Sequence, residues 1–140
     1  MAEKIFNQEF NGYWLESGIS NLPKVSGVYI VQSCLYNKEM KEVNLKRLIY
    51  IGKADNILER VSSHEKLEDW EKELKEGEQL CYSYTKINAT YNNRVEAALI
   101  NINQPIVNIE YKKAFPFDTT IVNSRKTYSL LKEKIEVKRH

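Results

Sequence analysis

The sequence predicts an α+β domain, a small three-stranded, mainly antiparallel sheet with helices packed on it as an α/β sandwich. Three observations lead there. Residues 26–36, 47–52 and 80–87 alternate with period two and are rich in β-branched and aromatic residues. Between and after them, apolar residues recur at helical spacing. The chain has 140 residues, 42% apolar and 29% charged, with no repeat, low-complexity tract or Gly/Ser linker, so 1–140 is expected to form a single domain.

The first strand is "SGVYIVQSCLY", where Val28 and Ile30 alternate with Tyr29 and Val31. "RLIYIG" gives the second strand. The polar "NKEMKEVN" between them reads as a hairpin loop, which pairs the two antiparallel. After Gly52 the period changes: Ile57, Leu58, Val61 and Leu67 are spaced for a helix. Asn56 followed by Glu59 resembles a capping box at its start. "KLEDWEKELKEG" (66–77) is a second helical stretch, stopped by Gly77. "LCYSYTKI" supplies the third strand. "NNRVEAALININQP" puts Val95, Leu99 and Ile102 on one helical face and ends before Pro105. A turn at "FPFD" and a last helix in "TYSLLKEKIEVK" complete the expectation.

Composition narrows the function. Cys34 and Cys81 lie in apolar alternating stretches rather than at metal-type spacing, and read as reduced core residues. No apolar run reaches the roughly 18 residues of a membrane span, and the N-terminus lacks a secretory apolar core. A soluble cytoplasmic protein without a membrane partner is expected. The net charge of +2 is small, but its distribution is uneven. Residues 59–80 are predominantly acidic and should repel a phosphate backbone. A basic C-terminal extension begins at about residue 111; in it Lys112, Lys113, Arg125 and Lys126 are candidate DNA contacts, against the plainer reading of a solvated charged face.

With only His64 and His140, the chain has too few histidines for a Ser-His-Asp triad or a histidine-rich zinc site. Gly52-Lys53 resembles the end of a phosphate loop but lacks the preceding glycine. What remains is tyrosines on strands, a Lys and an Arg just beyond, and a carboxylate on a later helix. That is an inventory for handling phosphate.

"GVY" at 27–29 and "YIG" at 50–52, followed in order by Lys53, Arg60, His64, Glu96 and Asn108, resemble the motif set of the GIY-YIG nuclease superfamily. The flanking "GYWLESGISNLP", "HEKLEDWEKELKEGEQL" and "EYKKAFPFD" resemble those of its small stand-alone members. Twenty residues separate Tyr29 from Tyr50, more than is usual in the family, which implies a longer first hairpin. The resemblance implies the GIY-YIG endonuclease fold and metal-dependent hydrolysis of phosphodiester bonds in DNA. It leaves open repair, restriction or another task, and whether a protein partner or a homodimer is needed.

By that resemblance, Arg60 and Lys53 would stabilise the charge growing on the phosphate. Glu96 would hold one Mg²⁺ or Mn²⁺, ions that keep several waters and need few protein ligands. Tyr50 and Tyr29 would position and deprotonate water, their pKa lowered by the surrounding cations. His64, four residues from Arg60 and so on the same helical face, would orient a tyrosine or touch the phosphate. Asn108 would hold the site by hydrogen bonds, and Gly27 and Gly52 would let the backbone bend at the strand ends.

Each residue also has a quieter explanation. Strand tyrosines fill cores, Arg60 could pair with Glu59 or Glu65 on a helix surface, and Asn93 to Glu96 fits a second capping box. The ordered set favours the nuclease. A non-cutting nucleic-acid-binding module, stacking bases on aromatics, is the alternative. A partner-dependent nuclease subunit is a further one, and a protein-binding domain would require the acidic 65–78 stretch as its contact surface.

Overall fold

The computed structural model describes residues 3–125 and 128–140. The chain forms β1 (Lys4–Glu9), β2 (Asn11–Leu15), β3 (Gly27–Asn37), β4 (Glu42–Ala54), α1 (Ile57–Ser62), α2 (Leu67–Glu71), β5 (Gln79–Lys86), α3 (Asn92–Asn103), β6 (Thr120–Arg125) and β7 (Lys134–Val137). The α+β class is as expected; the sheet is not. Instead of one three-stranded sheet there are two: an antiparallel four-stranded sheet in the order β2-β5-β3-β4, and a three-stranded sheet β1-β6-β7 in which β1 runs parallel to β6.

The three strands read from the sequence are β3, β4 and β5. The Tyr29-to-Tyr50 interval is taken up by long hairpin arms, with Asn37 paired to Glu42 beside the turn. Strand β3 is buried from Gly27 to Cys34, and its alternation divides the core. Val28 and Ile30 pack with α3 and the second sheet. Tyr29 and Val31 pack with Ile57, Val61 and Trp70 from α1 and α2. Cys34 and Cys81 are buried and unbridged.

Two expected helices are corrected. The helix over 66–77 is only the short α2, because Glu78 accepts the Lys75 N–H and pairs with Arg47, which also bonds the Glu73 carbonyl. Gly77 does sit at a left-handed φ of 80° at the end of this stretch. The expected last helix is replaced by β7, where Ile135 and Val137 point inward and Lys134 and Glu136 outward, a period of two. Strands β1, β2 and β6 have no counterpart in the sequence expectation.

The second sheet is tied to α3 by the buried Arg94. Its Nε donates to Thr120 Oγ1 at 2.8 Å, and its Nη2 to the carbonyls of Asp118 and Thr119. Among the described residues, no helix is long and apolar enough to cross a membrane.

Candidate active site

The register of β3 against β4 sets the geometry of the site, and a β-bulge borders it. Val31 pairs with Tyr50 but Gln32 pairs with Leu48, so Ile49 is an extra residue in β4. Leu48 therefore faces the α3 side, while Ile49 and Tyr50 both face α1 and α2. Tyr50, two residues before the Gly52 that faces Tyr29 and in unbroken register with it, shares a face with Tyr29 by alternation, the ring centroids 6.3 Å apart.

Tyr29 lies directly opposite Gly52. A Cβ on Gly52 would stand 2.3 Å from the Tyr29 ring and hydroxyl, and one on Gly27 would stand 2.1 Å from the Thr85 carbonyl oxygen. Both glycines are required for close approach rather than for a bend, since neither has a left-handed φ. Their expected role is corrected accordingly.

Asn56 Oδ1 accepts the Glu59 N–H and starts α1, as its spacing suggested. The helix ends at Ser62, so His64 is not on it and does not share a helical face with Arg60. His64 turns inward, 7% exposed, with Nε2 2.6 Å from the Tyr29 hydroxyl and its ring 4.4 Å from that of Trp70. Trp70, absent from the sequence expectation of the site, also packs against Tyr50; its only signal was an apolar residue in an acidic helix.

Arg60 remains at the surface, where its guanidinium donates two hydrogen bonds to Glu65, at 2.6 and 2.9 Å. The quieter reading of Arg60 is therefore satisfied in the free protein. Glu96 is different. Helix α3 begins at Asn92 behind Tyr91 with no side-chain cap, and Asn93 Oδ1 accepts the Tyr111 hydroxyl instead. The second capping box does not form, and Glu96 lies within the helix, 9% exposed.

Asn108 is pinned by both ends of its amide: Oδ1 accepts the Ile51 N–H and Nδ2 donates to the Ile51 carbonyl, each at 2.9 Å. Tyr29, Tyr50, Lys53, Arg60, Glu96 and Asn108 line one open cleft of about 710 Å³. His64 does not line it but touches two rings that do, hydrogen-bonding Tyr29 and packing edge-on against Tyr50. Lys112 and Lys113 follow the cleft-lining Tyr111, whereas Arg125 is at the far strand β6, paired with Glu9 at 3.7 Å. The Lys126 candidate lies outside the described residues.

Burial governs the electrostatics. It holds the Tyr29 phenol well above its ordinary value and pushes Tyr50 up to about 12; Arg60 opposes both shifts and is outweighed. The expectation that nearby cations lower the tyrosine pKa is thus reversed in the free protein. Burial also pushes His64 down to about 4, helped by Arg60, so its imidazole is neutral. Glu96 is raised to about 7 by burial, against the Lys53 ammonium and backbone N–H. Arg60 holds Glu65 down to about 2.

Among the described residues no cluster of three His, Cys, Asp or Glu side chains is arranged to hold a metal. Glu96 is the buried carboxylate of a cleft that Asp55 and Glu110 also line, with room for water and substrate oxygens. This donor chemistry fits a hard divalent ion and not zinc. Comparison with protein-family models, curated proteins and solved structures returns no match to this chain.

Proposed function

We propose that the protein is a metal-dependent DNA endonuclease of the GIY-YIG type. One observation carries the reading: Tyr29 and Tyr50 from two strands, Lys53 at the end of β4, Arg60 from α1 and Glu96 from α3 line a single cleft. They converge although nearly seventy positions separate the first from the last.

Arg60 offers the phosphate a planar fork of donors, which Glu65 occupies until substrate displaces it. Lys53 adds a second positive charge, so that the oxygens gaining charge during attack are faced by cations. Tyr50, more exposed than Tyr29, orients the attacking water; a neutral phenol can both accept and donate, and needs no ionisation to do so. Tyr29 is held rigidly by His64 and the space above Gly52. Glu96 would hold Mg²⁺ or Mn²⁺, whose contribution when bound is Lewis-acid stabilisation of the leaving oxygen.

Cleavage of a DNA panel (supercoiled, linear, single-stranded and branched) in Mg²⁺ and in Mn²⁺, with Glu96→Ala in parallel, tests the proposal. Metal-dependent cutting by the wild type and none by Glu96→Ala is expected. Wild-type turnover in Glu96→Ala would sink the mechanism. Salt-sensitive binding by folded protein without cutting would favour the binding module.

A further inference from the structure

The segment from Gln104 to Lys112 forms one wall of the cleft and is fixed at both ends. On one side, the Val107 N–H donates to the Ile49 carbonyl at 2.9 Å, and Asn108 is clamped to Ile51. On the other, Gln104 Nε2 donates to the Lys112 carbonyl and Asn101 Nδ2 to the Tyr111 carbonyl, each at 2.8 Å. Between these anchors stands Ile109, 85% exposed, the most exposed large apolar side chain among the described residues.

A single exposed apolar residue usually requires no explanation. Ile109 differs in its position. It lines the same cleft as Lys53, Arg60 and Glu96, on backbone anchored to β4 and α3. Its β-branched side chain has few rotamers through which to fold away. A phosphate bound by Arg60 and Lys53 brings a sugar and a base on each side, and an apolar knob at the rim meets those groups rather than another phosphate. Apolar side chains in such positions pack on sugars or wedge beside base steps.

We infer that Ile109 is a DNA-contacting residue, packing against the nucleoside next to the phosphate held in the cleft. The inference rests on the phosphodiester reading of that cleft and adds an uncharged contact to it.

Binding of a fluorescent DNA duplex over a range of salt, with Ca²⁺ replacing Mg²⁺ to prevent cutting, separates the two. Ile109→Ser should raise Kd about tenfold at every salt concentration with the salt slope unchanged, since the lost contact releases no counterions. Ile109→Leu should restore most of the affinity, and the melting temperature should be unaffected in both variants. Lys53→Ala should instead weaken binding and reduce the slope by about one. If Ile109→Ser binds like the wild type, or changes the slope, while Lys53→Ala behaves as stated, the inference is wrong and the cleft reading stands. If the wild type shows neither salt-sensitive binding nor plasmid nicking, the cleft reading fails and the inference with it.

Discussion

The Tyr29 hydroxyl and His64 Nε2 stand 2.6 Å apart, and the Lys66 backbone N–H, 3.1 Å from His64 Nδ1, decides which of them donates. With Nδ1 accepting, the single proton of the neutral imidazole lies on Nε2 and is donated to the Tyr29 oxygen. The phenolic proton of Tyr29 is thereby left for the cleft. His64 is a positioning residue that fixes the phenol, and in this tautomer it is not Tyr29's base.

The tautomer is open to nitrogen NMR. His64 should show a protonated Nε2 and no titration from about pH 8 to about pH 5, with a midpoint near 4. A midpoint above about 6 would contradict the buried, neutral assignment.

Glu96 should act against stability in the metal-free protein. Its carboxyl is raised from the usual 4.5 to about 7. Between those values the folded chain holds a proton that the unfolded chain has lost, so stability falls as pH rises through this window. Denaturation in EDTA should find Glu96→Gln more stable than wild type by about 2–3 kcal/mol at about pH 8 and nearly equal at about pH 4. The variant should not cut DNA. Equal effects on stability at both pH values would disprove the burial account. His64 has the opposite sign, costing stability as pH falls from 6.5 toward 4. Glu96→Gln should expose that loss cleanly.

On the proposed reading, Glu65, which holds the Arg60 guanidinium, competes with a phosphate for it. Removing its charge should tighten DNA binding about threefold at low salt, an effect shrinking as salt is raised. The melting temperature should hardly change, because exposed pairs contribute little to stability. Weaker binding by Glu65→Gln would show that the pair positions Arg60 instead. Arg60→Lys should not recover the full rate, since the planar fork is lost.

The two site glycines should respond differently to a second change. Gly52→Ala collides with the Tyr29 side chain and Gly27→Ala with the Thr85 backbone oxygen. Each should destabilise by about 2–4 kcal/mol. Adding Tyr29→Ala should relieve much of the Gly52→Ala strain and none of that from Gly27→Ala. Strict additivity at Gly52 in a urea-denaturation cycle would rule out the packing explanation.

Much of the site was legible in the sequence because its residues sit on elements with strong local signals. The alternation of 26–36 and 80–87, the Asn56 cap and the helical run ending before Pro105 each specify local structure through period and capping. Gly77 marked its turn for the same reason. Other features were not legible locally. Lys134–Val137 is too short to declare a period, and its neighbour β6 pairs in parallel with Lys4–Glu9, whose partner residues are more than a hundred positions away.

The sequence by itself determined which residues are available to the proposed phosphate chemistry, their order, and the strands and helices that carry most of them. Only the tertiary structure decided where they face. The bulge at Ile49 turns Ile49 to the same face as Tyr50, the end of α1 at Ser62 frees His64 to enter the core, and anchoring to β4 and α3 holds Ile109 in the open. It also decided their charges, since burial outweighs the nearby cations at Tyr29, Tyr50 and Glu96. The reason is physical: spacing encodes local periodicity, whereas desolvation and register depend on atoms brought together from distant parts of the chain.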